Sequence, residues 1–149
     1  MAEDARYRAK VWMEAYLTPA NLTDDNGDNM SGITAFGWPP YPLQKIFNEM
    51  GVDFVISVGE PESTALLDFD QVPYGYEEST PIEIGCIDKP NITATKALWT
   101  VEAEIRRIAE TYPTGSQRSL ERIRDTDKML GSMKLCGRLL MLNYVRDTT

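Results

Sequence analysis

The chain contains no histidine. That removes the commonest general base, the Ser-His and Cys-His nucleophile pairs, and the most usual zinc ligand together. Cysteine is scarce: Cys86 and Cys136 lie far apart, outside any C-x-x-C pair. Two thiols make no disulfide framework, and their apolar neighbours mark them as buried and reduced. Long apolar runs are missing. The longest, Leu139 to Leu142, is far too short to span a bilayer. A glycine-rich phosphate loop is absent too, because Gly51 and Gly59 bracket a strand instead of clustering before a helix. Positive charge is in short supply, with 15 Lys and Arg against 23 Asp and Glu and a net charge of −8. Such a surface does not track nucleic-acid phosphates, which are gripped by Lys and Arg. Glu3, Asp4, Arg6, Arg8, Lys10 and Glu14 leave no apolar signal-peptide core, so a soluble protein kept in the cytoplasm until assembly is expected. The glycosylation matches at Asn21 and Asn91 are then chance.

What is present is an ordinary globular composition. The 149 residues are 42% hydrophobic and 26% charged, enough for a single domain, 1–149, with a real core. The stretch from Pro81 to Tyr112 organises the reading. Ile82, Ile84 and Cys86 alternate with Glu83, Gly85 and Ile87, the period of a strand with one face on a core. Lys89-Pro90-Asn91 breaks that strand. Ala94, Leu98, Val101, Ile105, Ile108 and Tyr112 then recur at helical spacing, which predicts one long amphipathic helix over about 93–112. Asn91 or Thr93 is placed to cap it, Glu102 to pair with Arg106, and Pro113 with Gly115 to stop it.

Around this unit, Asp4 to Leu17 carries a helical apolar stripe ended by Thr18-Pro19. Residues 21–41 lack periodicity and read as a long interaction arm. Within it, Asp24, Asn26 and Asp28 alternate as calcium ligands would, but the twelfth position is Ala35, so a solvated loop is the better reading. Trp38-Pro39-Pro40-Tyr41-Pro42 is stiff and contains a minimal P-x-x-P. Pro42 to Met50 reads as a short helix, and Val52–Val58 with Thr64–Gln71 as a β-hairpin turned by Gly59-Glu60-Pro61-Glu62. Val72 to Thr80 reads as a second loop. Leu120 and Ile123 belong to an edge strand, residues 125–137 fit loop, helix or strand alike, and Gly137 to Asp147 is an interior strand or one facing another subunit. The sum is an α+β domain: a mixed or antiparallel curved sheet of about four to five strands, a long helix on it and an N-terminal helix.

Candidate chemistry is thin. Asp68 with Asp70, and Asp125 with Asp127, are spaced to share a strand face, but surface acids explain both pairs. Ser132 and Lys134 lack a nucleophile motif. Arg118, Arg122 and Arg124 fit a solvated face paired with Glu121 and Asp125, or an inter-subunit ion-pair surface with Arg122 as its candidate. No catalytic residue, cofactor or metal ligand is assigned.

The order of elements resembles the tail-terminator proteins of long-tailed bacteriophages and archaeal viruses, and related neck and tail-completion proteins. The matching elements are Asp4–Leu17, Pro81–Asp88, Ala94–Tyr112 and Gly137–Asp147, closing on Leu-Asn-Tyr-Val-Arg-Asp. The resemblance implies a non-enzymatic virion subunit at the head–tail junction, closed into a homohexameric ring. Its partners would be the tail tube protein and the head connector or adaptor, with DNA passing through the lumen unbound and no membrane involved. An acidic pI of about 4.6 suits such a lumen. The loop aromatics Trp38, Tyr41, Phe69, Tyr74 and Tyr76 are the expected interface anchors. Two other classes stay open: a small cytoplasmic enzyme or ligand-binding domain using Asp68, Asp70 or Glu83, and a regulatory module that binds a partner through the 21–41 arm.

Overall fold

The computed structural model describes residues 11, 13–38, 42–67, 69–111 and 118–147, with backbone alone at 111, 118 and 144–147. The protein is α+β, and its centre is a pair of long antiparallel strands, β4 (Pro73–Ile87) and β7 (Met133–Asp147). They run side by side from Gly75↔Asp147 to Ile87↔Leu135. Each is the inner arm of a long hairpin whose outer arm is broken in two. Along β4 lie β2 (Phe54–Val58) and β3 (Glu62–Leu67), end to end; along β7 lie β5 (Arg118–Asp125) and β6 (Lys128–Leu130). β1 (Gly32–Phe36) adds to β2 in parallel and makes the seven-stranded sheet mixed.

Three strand expectations change. Val52–Val58 and Thr64–Gln71 do not form a hairpin with each other, because both pair with β4. The loop expected over Val72–Thr80 is the first half of β4. Part of the 21–41 arm is strand β1, so the sheet exceeds the expected four to five strands. One residue explains why the chain tolerates this. Pro81 sits where β2 has ended and β3 has not begun, and its carbonyl accepts the Gly59 N–H at 2.8 Å. Its nitrogen faces the same gap, so the missing N–H costs no ladder bond.

The long helix, Ala94–Thr111, covers one face. Ala94, Leu98, Val101, Ile105 and Ile108 are buried as the period requires, against Ile82, Ile84, Cys86, Leu140 and Leu142. Each large side chain so buried contributes about 1.5–3 kcal/mol. Tyr112 lies outside the described residues. The helix start differs from expectation: Asp88 Oδ1 accepts the Ala94 N–H at 2.8 Å, while Thr93 Oγ1 donates to Asp25. Residues 13–16 are helical, in keeping with the expected first helix, whose earlier part lies outside the described residues. Met13, Leu22 and Met30 pack into the same core.

The opposite face carries a second core, Ile46, Phe47, Val52, Val55, Ile87 and Leu135, under the short helix Leu43–Asn48. Trp38 closes it. A Cβ on Gly85 would lie 3.2 Å from the Trp38 ring and from Leu135, so glycine there is the seat that lets the indole reach the sheet. With both faces covered, every residue of β2 is buried.

Candidate functional site: an exposed apolar tip and a buried charge cluster

The turn from β3 into β4 produces the most exposed apolar surface described. β3 is exposed along nearly its whole length, and a register shift at Leu66/Leu67 bends it as it ends. Gln71 follows with φ +61°, a left-handed conformation that costs a non-glycine residue about 1 kcal/mol. The result places Leu67, Val72 and Tyr74 at 46%, 54% and 56% exposure, and Phe69 wholly in solvent. Leu67, Phe69, Gln71 and Tyr74 line an open depression of about 420 Å³.

The expected interface residues therefore separate. Phe69 and Tyr74 come together at this tip, and Tyr76 is half-buried on β4 beside it, opposite Ala65. Trp38 is elsewhere, half-buried over the second core with the Lys128 ammonium 4.9 Å from its ring centroid. Its packing is local. Tyr41 lies outside the described residues.

Arg122 belongs to a different arrangement. It donates through Nε and Nη2 to both oxygens of Glu102, a long-helix residue only 3% exposed. Arg138, on the same sheet face, brings Nη1 to 3.8 Å from Glu102 and donates through Nε to Asp125 at 3.0 Å. Both guanidinium carbons lie over the Trp99 ring, at 4.3 Å for Arg122 and 4.9 Å for Arg138. Burial pushes the Glu102 carboxyl up, but the Arg122 hydrogen bonds and the surrounding Arg charges outweigh it and hold it below the usual carboxylate range. Arg138 Nη1 is buried without a hydrogen-bond partner. This is a fold-locking cluster. Of the two readings of Arg122, the solvated face paired with Glu121 is replaced by a bond across to the helix. Glu102 does not pair with Arg106, which donates to the Leu120 carbonyl at 2.9 Å.

The parity of the strand carried a signal for this cluster that the sequence reading missed. Arg138 has the same alternation as Cys136, Leu140 and Leu142, so a charge interrupts an apolar face and demands a buried partner. Glu104, 2% exposed, does similar work at the other side of the helix. It accepts the Thr18 N–H at 2.7 Å and the Asn21 amide at 3.2 Å, and pairs with Arg107, above an open groove of about 530 Å³. Its carboxyl is pushed up by burial and, more strongly in sum, held down by these donors.

Several other acids are engaged structurally. Asp24 accepts the Asn91 amide at 2.7 Å and the N–H groups of Asn26 and Asp28, which hold its carboxyl low and fix the turn. Glu83 accepts the Thr126 hydroxyl at 2.9 Å, and Asp127 accepts the Gly137 N–H at 3.0 Å. Asp70 is exposed, and Asp68 lies outside the described residues. Cys86 and Cys136 face each other across β4 and β7 as buried free thiols, with burial raising both above the usual thiol range. Among the described residues no group of three or more Cys, Asp or Glu side chains is placed to hold a metal ion, and no helix is long and apolar enough to cross a membrane. No protein-family model and no curated protein matches the sequence.

Proposed function

We propose that this chain is a non-enzymatic structural subunit that assembles with copies of itself, a tail-terminator-like ring component at the head–tail junction of a virus. One observation carries the reading: the tip holds Phe69 wholly in solvent beside the half-exposed Leu67, Val72 and Tyr74. Burying one such side chain contributes about 1.5–3 kcal/mol, so a contiguous group of four is a strong drive toward a partner surface. Aromatic side chains have few rotatable bonds and lose little entropy when they dock. The element order supports the same reading, and the net charge of −8 fits a ring through which DNA passes without being held. In it the tail tube protein and the head connector or adaptor are the neighbours.

Native mass spectrometry of the purified protein tests this. The expected result is a closed species of about six copies of the 16.8 kDa chain, alone or on adding tail tubes. A monomer at every concentration, with or without tubes, overturns it.

A further inference from the structure

Charge is distributed along this chain in blocks that the fold sends to opposite edges of one sheet. From residue 46 to residue 88 there are ten Asp and Glu and no Lys or Arg. From residue 118 to residue 147 there are seven Lys and Arg against four Asp and Glu. The first block contains β2, β3 and β4, and the second contains β5, β6 and β7. Where the hairpins overlap, the order across the sheet is β3-β4-β7-β5, with one row running Ser63, Glu78, Tyr144, Arg118. Among the described residues β3 pairs only with β4, and β5 only with β7. Each is an edge strand with no second strand partner among the described residues, and on β5 the Leu120 carbonyl accepts from Arg106. The β3 side carries Glu62, with Glu77 and Glu78 beside it on β4; the β5 edge carries Arg118, Arg122 and Arg124 against Glu121 and Asp125, a net positive charge.

Strand direction adds a second constraint. All three pairings in that row are antiparallel, so β3 and β5 run in opposite senses. If a second copy continues the sheet in the same orientation, its β3 meets the first copy's β5 as an antiparallel pair, the stronger ladder. The regular stretches match in length: β3 is unbroken from Glu62 to Leu66, and β5 from Arg118 to Arg122 before its own register shift. A two-fold alternative would set β3 against β3 or β5 against β5, like charge against like, which is destabilising. Exposed charges of opposite sign share the sheet face away from the long helix. Glu62 and Glu77 lie on the β3 side, and Arg124 and Lys128 on the β5 side, where they outnumber Glu121.

We infer that copies of this chain join head to tail by sheet continuation, the acidic β3 edge of one subunit pairing with the basic β5 edge of the next. This rests on the ring reading above and names its contact. Heterologous contacts of one kind close into rings when the rotation per subunit allows. The occupant of the β3 edge is a second copy.

The test uses two charge-reversed full-length variants, E62K/E77K and R124E/K128E, each checked by far-ultraviolet circular dichroism and melting for an intact fold. R124E alone serves if loss of the Lys128–Trp38 stacking disturbs the second. Each variant has two like-charged edges, so each alone is expected to lose the assembly that the unmodified protein shows in native mass spectrometry. Mixing them is expected to restore it, with the two variants present in equal number, because only unlike neighbours then fit. An assembly that persists in either variant alone, or a mixture that stays dissociated, overturns this contact while leaving the ring reading intact. An unmodified protein that is monomeric throughout overturns both.

Discussion

Replacing Glu102 by Gln removes the charge that two guanidinium groups share. The two arms of the pair differ in what they contribute. Arg122 has a side chain 38% exposed, so water screens it and its loss is worth no more than about 1 kcal/mol. Arg138 is 8% exposed, already has one buried nitrogen without a hydrogen bond, and would keep only Asp125, itself 65% exposed. Breaking a buried pair by removing one partner costs about 3–5 kcal/mol, chiefly from the charge left behind. The expected loss for E102Q is therefore about 3 kcal/mol, near the low end because Asp125 still compensates in part. For a chain of this size that lowers the melting temperature by about 6–12 °C. Urea unfolding with linear extrapolation measures it. The diagnostic variant is E102L/R138M, which removes both buried charges and refills the space with apolar atoms; it should recover most of the lost stability. A loss below about 1 kcal/mol in E102Q, or a double variant no more stable than E102Q, would refute the reasoning.

Acid should act through the same groups. Glu102 and Glu104 both have folded pKa values below the ordinary 4.5, so the stability they contribute is fully present above that value and drains away as pH falls through the folded values. Melting temperatures measured from pH 7 downward should hold until about pH 5 and then fall, less steeply in E102Q than in the parent. Asp88→Ala removes the carboxylate that accepts the Ala94 N–H and should cost about 1 kcal/mol, read by urea unfolding; Thr93→Ala should cost the helix start less. Phe69→Ser should leave unfolding stability within about 0.5 kcal/mol, because the ring is wholly exposed, while reducing the assembled fraction in native mass spectra.

The long helix was legible because its apolar residues keep one period for four turns and nothing interrupts them. Its cap was not, since Asp88 reaches Ala94 across the Lys89-Pro90-Asn91 turn and no local pattern records that reach. The β4 strand was hidden by its own residues. Pro73, Gly75, Glu77-Glu78 and Pro81 carry turn chemistry, yet the strand has a gap beside Pro81 and an open ribbon beyond it, where those residues fit. Gly59-Glu60-Pro61 was rightly read as a break but wrongly as a reversal: the chain steps across the gap and carries on along the same partner. Phe69 and Tyr74 were singled out by residue type and turn position, and both are exposed. Arg122 was found without its true partner, because the helix and strand that bring Glu102 to it are joined only in three dimensions.

The two hairpins point their turns toward opposite ends of the central strands, and the turns are unlike. The β6–β7 turn is tied down: Gln44 donates to the Leu130 carbonyl at 2.6 Å, and Gly131, at φ +66°, leaves room for that amide where a Cβ would collide. The β3–β4 turn carries its oily side chains outward. The molecule thus has a top and a bottom of different character. Copies arranged side by side would present a rim of Leu67, Phe69, Val72 and Tyr74 on one side of the layer and, on the other, a fastened turn with Met129 beside it.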